Sequence, residues 1–122
     1  MLQFNNSATI LDSRELNEYQ VSHIEAALLV GFDKFSMDSI SELVENKNSP
    51  IVVYCTLGIR SEVIADKLIK AGYNNVKNLY GGICEWSNKD YKVIDSTQTT
   101  TKNIHTFSKE WNKWLINGNP IY

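Results

Sequence analysis

Apolar and polar positions follow two different periods along this 122-residue chain, and the changes of period mark out its elements. Ile51-Val52-Val53-Tyr54 is a short continuous apolar run after Pro50, the pattern of a strand buried on both faces inside a parallel sheet. From Ser61 onward the spacing lengthens to three and four through Val63, Ile64, Leu68 and Ala71, which predicts a helix closed by Gly72 as its C-cap. Upstream, Ala8 to Leu11 reads as a short strand ending at Asp12-Ser13-Arg14, and Glu15 to Gln20 as a turn or two of helix. His23 to Val30 leads into a second buried strand. Met37, Ile40, Leu43 and Val44 mark an amphipathic helix that runs out in the turn-rich Asn46-Lys47-Asn48-Ser49-Pro50. Asn75 to Tyr80 is a further short strand, stopped by Gly81-Gly82. Strands alternating with helices over this length predict an α/β fold with right-handed crossovers.

After residue 94 the pattern changes. Asp95 to Lys102 is a polar connector, and beyond it Phe107, Trp111, Trp114 and Leu115 recur at helical spacing. The expected organisation is therefore a core over residues 1–94, followed at 95–122 by the connector and an amphipathic helix over residues 106–116 that packs on the same domain. An apolar stripe usually serves its own domain, although two tryptophans on one stripe also suit a partner.

Length bounds this to one domain with one full core. The formal charge of −2 and a pI near 5.6 argue against a nucleic-acid-binding surface. Two cysteines make no disulfide framework, no apolar run is long enough to span a membrane, and the N-terminus lacks a signal-peptide pattern. The expected setting is cytoplasmic and the expected state monomeric. The first strand begins so close to the start of the chain that an upstream targeting segment is left open.

The candidate chemistry sits at Cys55. It stands at the carboxyl end of the central strand, where ligands of α/β sheets bind, and the five residues after it lead to a helix N-terminus. A helix N-terminus and a neighbouring cation both favour a thiolate, the reactive form of cysteine. Gly58 lets the loop curl so that its amides converge, and Arg60 offers a fixed charge for an anion bound in front of the sulfur. The bland alternative is a small buried hydrophobe at a strand end, the common fate of a free cysteine.

Asp12-x-Arg14 with Glu18-Tyr19, His23-Ile24-x-x-Ala27, Cys55-x-x-Gly58-x-Arg60-Ser61 and Gly81-Gly82-Ile83-x-x-Trp86 stand in one order over residues 8–93. Together they resemble the rhodanese family in its single-domain form. The resemblance implies a three-layer α/β domain whose central, mostly parallel sheet is flanked by helices. It also implies sulfurtransferase activity, with sulfane sulfur held as a persulfide on Cys55. Cys55 and Arg60 become the catalytic pair, and Thr56, Leu57, Gly58, Ile59 and Ser61 the substrate-binding cradle. Asp12 and Arg14 become braces near the mouth of the site, and His23 a structural residue. The implied partners are thiosulfate or a small-molecule or protein persulfide as donor, and a thiol or cyanide as acceptor, with no cofactor and no metal.

Three departures from the family's pattern refine these expectations. Ala26 replaces a glycine common in the His-Ile-x-Gly-Ala motif. Thr56 and Leu57 stand where some thiosulfate-using relatives carry basic residues, leaving Arg60 as the only cation of the loop. Weak capture of a small dianion is therefore expected, and thiosulfate turnover that falls with salt. The third departure is the tail after the Trp86 motif. Cys84 admits two readings, a resolving thiol for the persulfide or, more simply, structural filler. Two rival functions follow from other classes. A cysteine-loop phosphatase or arsenate reductase uses Cys-x5-Arg, one residue longer and wider than the Cys-x4-Arg here, and a non-catalytic binding or regulatory module commonly lacks the cysteine.

Overall fold

The structure is a computed structural model that describes residues 8–122; residues 1–7 of the expected core lie outside the described residues. β1 (Thr9–Asp12) leads into α1 (Leu16–Val21), followed by the two-residue strands β2 (His23–Ile24) and β3 (Leu28–Leu29). α2 (Met37–Leu43), β4 (Ile51–Tyr54), α3 (Ile59–Lys70), β5 (Val76–Asn78) and α4 (Gly82–Asn88) complete the repeating part of the chain. The main sheet has the order β3-β1-β4-β5 and all its pairings are parallel. The sheet and the helices on its two faces make the three-layer α/β architecture.

β4 shows why the sheet has two covered faces. Ile51 and Val53 point into a cluster with Leu11, Ile40, Ile64, Leu68 and Tyr73, which joins the sheet to α2 and α3. Val52 and Tyr54, offset by one residue and so on the opposite face, pack with Ile24, Leu79, Ile83, Trp86 and Val93 beneath α4. The strand expected before Val30 is not a buried one: β3 is the edge of the sheet, with Leu28 exposed and Leu29 half-buried. Ala26, just before it, sits at φ 70°, the left-handed conformation that glycine adopts without strain.

The tail departs from expectation. β6 (Val93–Ile94) pairs antiparallel with β2 and with β7 (Thr100–Thr101), so the polar connector ends in a strand. β8 (Asn103–His105) pairs in parallel with β9 (Asn119–Ile121). The amphipathic helix expected over residues 106–116 is replaced by a 3-10 helix of six residues, Lys109–Trp114. The cause is local: Phe107 lies at φ 73°, which no right-handed helix can contain, and the backbone amide of Thr106 donates to the carbonyl of Ile121 rather than starting a helical ladder. Of the apolar stripe only Leu115 is buried; Phe107 and Trp114 are about half exposed. Among the described residues, no helix is long and apolar enough to cross a membrane.

Candidate active site

Cys55 follows β4 directly and is 1% exposed. Its sulfur accepts a hydrogen bond from the backbone amide of Gly58 at 3.0 Å, and the Ser61 oxygen lies 3.4 Å from it. Gly58 can deliver its amide because it stands at φ 109°, a left-handed conformation that turns the loop back on itself at the start of α3. An amide aimed at the sulfur stabilises negative charge on it, as a thiolate or a persulfide requires.

The loop is held from three sides. Asn78, at the end of neighbouring β5, accepts from the Ser61 hydroxyl at 2.5 Å and donates to the Gly58 carbonyl at 3.0 Å. From the other direction the first amides of α4 reach the loop backbone, Ile83 donating to the Cys55 carbonyl at 2.9 Å and Cys84 to the Thr56 carbonyl at 3.2 Å. This approach requires glycine at position 82, where an added Cβ would lie 2.4 Å from the Cys55 oxygen. On the third side, Tyr54 donates its hydroxyl to Asp12 at 2.7 Å, and Asp12 is gripped by Arg14 through Nε at 2.9 Å and Nη2 at 2.7 Å. Arg14 also donates to the Ser22 carbonyl. Burial works against its charge, but the adjacent Asp12 outweighs burial and raises its pKa further. Asp12 and Arg14 thus lie one strand away, acting through Tyr54. His23 stacks on Tyr19 with ring centroids 3.8 Å apart, and its Nδ1 lies 3.0 Å from the Tyr19 carbonyl oxygen.

Arg60 is not a free charge in front of the sulfur. Its Nη1 and Nη2 each donate to a carboxylate oxygen of Glu18 at 2.8 Å, Nη2 also donates to the Thr56 hydroxyl at 2.9 Å, and its guanidinium lies 4.6 Å from the centroid of the Phe107 ring. Burial would push the Glu18 carboxyl up, yet the hydrogen bonds from Arg60 and the backbone of Glu15 hold it below its usual range. Burial likewise opposes the Arg60 charge, and Glu18 outweighs it. The Thr56 side chain, fully buried, faces this pair and donates to Glu18 at 3.2 Å, so it supports the loop rather than presenting itself to a substrate.

A groove of about 490 Å³ runs beside the loop, lined by Leu57, Gly58 and Ile59, by Tyr80 and Trp114, and by the carboxyl-bearing Glu62 and Glu85. Cys84 lies on its wall; burial pushes that thiol up to about 12, a value at which it stays protonated. Of the sequence-predicted cradle, Leu57, Gly58 and Ile59 line the groove, whereas Ser61 lies beneath the sulfur. Sequence reasoning placed Glu18 and Gly82 in motifs and Phe107 on an apolar stripe, but gave none of them, nor Asn78, a role in the site. Asn78 carried a usable signal, since it ends the strand beside β4 and carboxyl ends of parallel strands share one edge. Phe107 carried none, because its place depends on a backbone conformation that periodicity cannot encode.

Comparison with known proteins gives one answer at the level of family. The rhodanese-like domain family matches residues 1–89. A tRNA uridine(34) hydroxylase of Photorhabdus laumondii is 36% identical over 88 residues, covering 70% of this chain and 25% of that protein. The adenylyltransferase and sulfurtransferase UBA4 of Meyerozyma guilliermondii is 32% identical over 96 residues, 75% of this chain and 22% of that protein. The chain therefore spans about a quarter of the length of these relatives. Among solved structures, a rhodanese with anions from E. coli superposes with a TM-score of 0.63 at 27% identity, covering 73% of this chain and 99% of the other. A thiosulfate sulfurtransferase from Pseudomonas aeruginosa gives a TM-score of 0.67 at 24% identity over 89% of this chain and 20% of that one, a likeness of fold.

Proposed function

The chain belongs to the rhodanese-like domain family, and on that premise we propose that it is a sulfurtransferase that carries sulfane sulfur on Cys55. The observation that carries this reading is the Gly58 amide donating to the Cys55 sulfur at 3.0 Å, in a loop anchored to three neighbouring elements. The Cys55 thiolate attacks the sulfane sulfur of a donor. A sulfur–sulfur bond forms, the donor's own bond to that sulfur breaks, and the electron pair departs with sulfite from thiosulfate or with a thiolate from a persulfide. An acceptor thiolate or cyanide then attacks the outer sulfur, the new bond breaks, and Cys55 returns as a thiolate. Charge is conserved in each half and no outside oxidant or reductant is needed. The fixed Gly58 amide stabilises the anionic sulfur of Cys55 without reorganising.

The test is mass spectrometry of the intact protein after exposure to a sulfane-sulfur donor, followed by steady-state transfer to dithiothreitol. A gain of one sulfur atom at Cys55, lost on adding acceptor, is the expected result. A Cys55→Ser protein that still gained the sulfur and still turned over would overturn the assignment.

A further inference from the structure

The loop contains one cation, and this fold engages it on its edge and on one face. Glu18 takes both terminal nitrogens of Arg60 at 2.8 Å, and the Phe107 ring lies against the guanidinium at 4.6 Å. The Glu18 side chain is 2% exposed and that of Arg60 11%, so the pair is set in a position where solvent screens it little. The groove beside the loop adds two more carboxylates, Glu62 and Glu85, to a wall otherwise made largely of apolar and aromatic side chains. An anionic donor entering here meets two carboxylates, that of Glu85 with the Lys89 ammonium 3.7 Å away, beside a loop whose arginine is neutralised by Glu18.

We propose that Glu18 is a specificity-determining residue: by holding Arg60 it removes the loop's cation from donor binding and, with Glu62 and Glu85, tunes the site to persulfides without net negative charge over dianionic donors such as thiosulfate. This rests on the assignment of Cys55 as the sulfur carrier. For a persulfide the thiolate of Cys55 attacks the outer sulfur, the donor's sulfur–sulfur bond breaks, and the departing thiolate takes up the proton from the transferred sulfur. Screening weakens repulsion as it weakens attraction, so the salt dependence of thiosulfate turnover has the opposite sign to the one expected from a lone loop cation: it rises with ionic strength.

The deciding quantity is the ratio of kcat/KM for thiosulfate to that for cysteamine persulfide, whose ammonium group leaves it without net negative charge, with dithiothreitol as acceptor throughout. Glu18→Gln is expected to raise this ratio about tenfold or more, Glu18→Asp to return it toward the wild-type value, and the Glu62→Gln/Glu85→Gln double variant to raise it by about threefold. A purely structural role for Glu18 would lower both constants together and leave the ratio unmoved, which overturns the inference. So does a wild-type preference for thiosulfate, or a thiosulfate rate that falls with salt. If Glu18→Gln does not fold, the groove double variant and the salt series decide. Failure of the underlying assignment looks different: transfer from either donor then survives Cys55→Ser, whereas failure of this inference alone leaves transfer dependent on Cys55 with an unchanged ratio.

Discussion

Arg14 and Arg60 each lie against a carboxylate close to the cysteine loop, but the two pairs are built on different scales. Arg14 and Asp12 are two residues apart, both side chains are wholly buried, and the remaining Asp12 contact goes to Tyr54 in the middle of the core. Arg60 and Glu18 are 42 residues apart, join α3 to α1, and leave the guanidinium slightly exposed under a half-exposed phenylalanine. The first pair forms within one turn of chain and secures the strand that ends at Cys55. The second closes a long loop of sequence and is tied to the cysteine loop through Thr56. A buried ion pair is costly to break in either place, yet only the second includes a residue of the cysteine loop, and on the proposed function only there does a change of partner alter the charge that a donor meets.

The comparison breaks most visibly at Asp12. Asp12→Ala leaves the Arg14 guanidinium buried without its partner and is expected to lower stability by about 3–5 kcal/mol, read from urea unfolding. The folded remainder should show the wild-type ratio of donors. The Glu18–Arg60 pair should respond to acid instead. Because Arg60 holds the Glu18 carboxyl below its ordinary value of 4.5, its contribution is fully present above that pH and is lost as pH falls through the lower folded value. The gap in stability between wild type and Glu18→Gln, about 1.5–3 kcal/mol for hydrogen bonds to a charged group, should hold steady from about pH 7 to 5 and close below about 4.5. A gap that widened on acidification would reverse the assigned sign. The smallest effect belongs to Phe107→Ala, which removes the ring over Arg60. It should lower stability by about 0.5–1 kcal/mol and move the donor ratio in the same direction as Glu18→Gln by about twofold.

β1, α1, α2, β4, α3 and β5 were legible because their apolar signals are regular. β4 reads as a strand buried on both sides and is one, and α3 carries Ile64 and Leu68 inward at helical spacing. Cys55 and Gly58 were legible from their place between strand and helix, and Asp12 with Arg14 from the motif they share. What the sequence could not display was partnership at long range. Arg60 reads as a cation available to a donor until α1 is folded against α3 and Glu18 arrives. Phe107, Trp111 and Trp114 keep a helical spacing that the chain does not use, because the parallel pairing of β8 with β9 holds this segment in another conformation. Short strands such as β2, β6 and β7 are set by their partners rather than by their own two residues.

Gly82 meets the cysteine loop through carbonyl oxygens at Cys55 and Thr56, and the amides of Ile83 and Cys84 bind the same two oxygens. A contact between main chains is blind to the side chains above it. The seating of α4 on the loop therefore places no demand on which residue stands at 55 or 56, and the contour of the pocket can outlive its sulfur. Over many generations of substitution, a chain of this design can change the side chain at 55 and keep its shape, while position 82 stays fixed by the geometry alone.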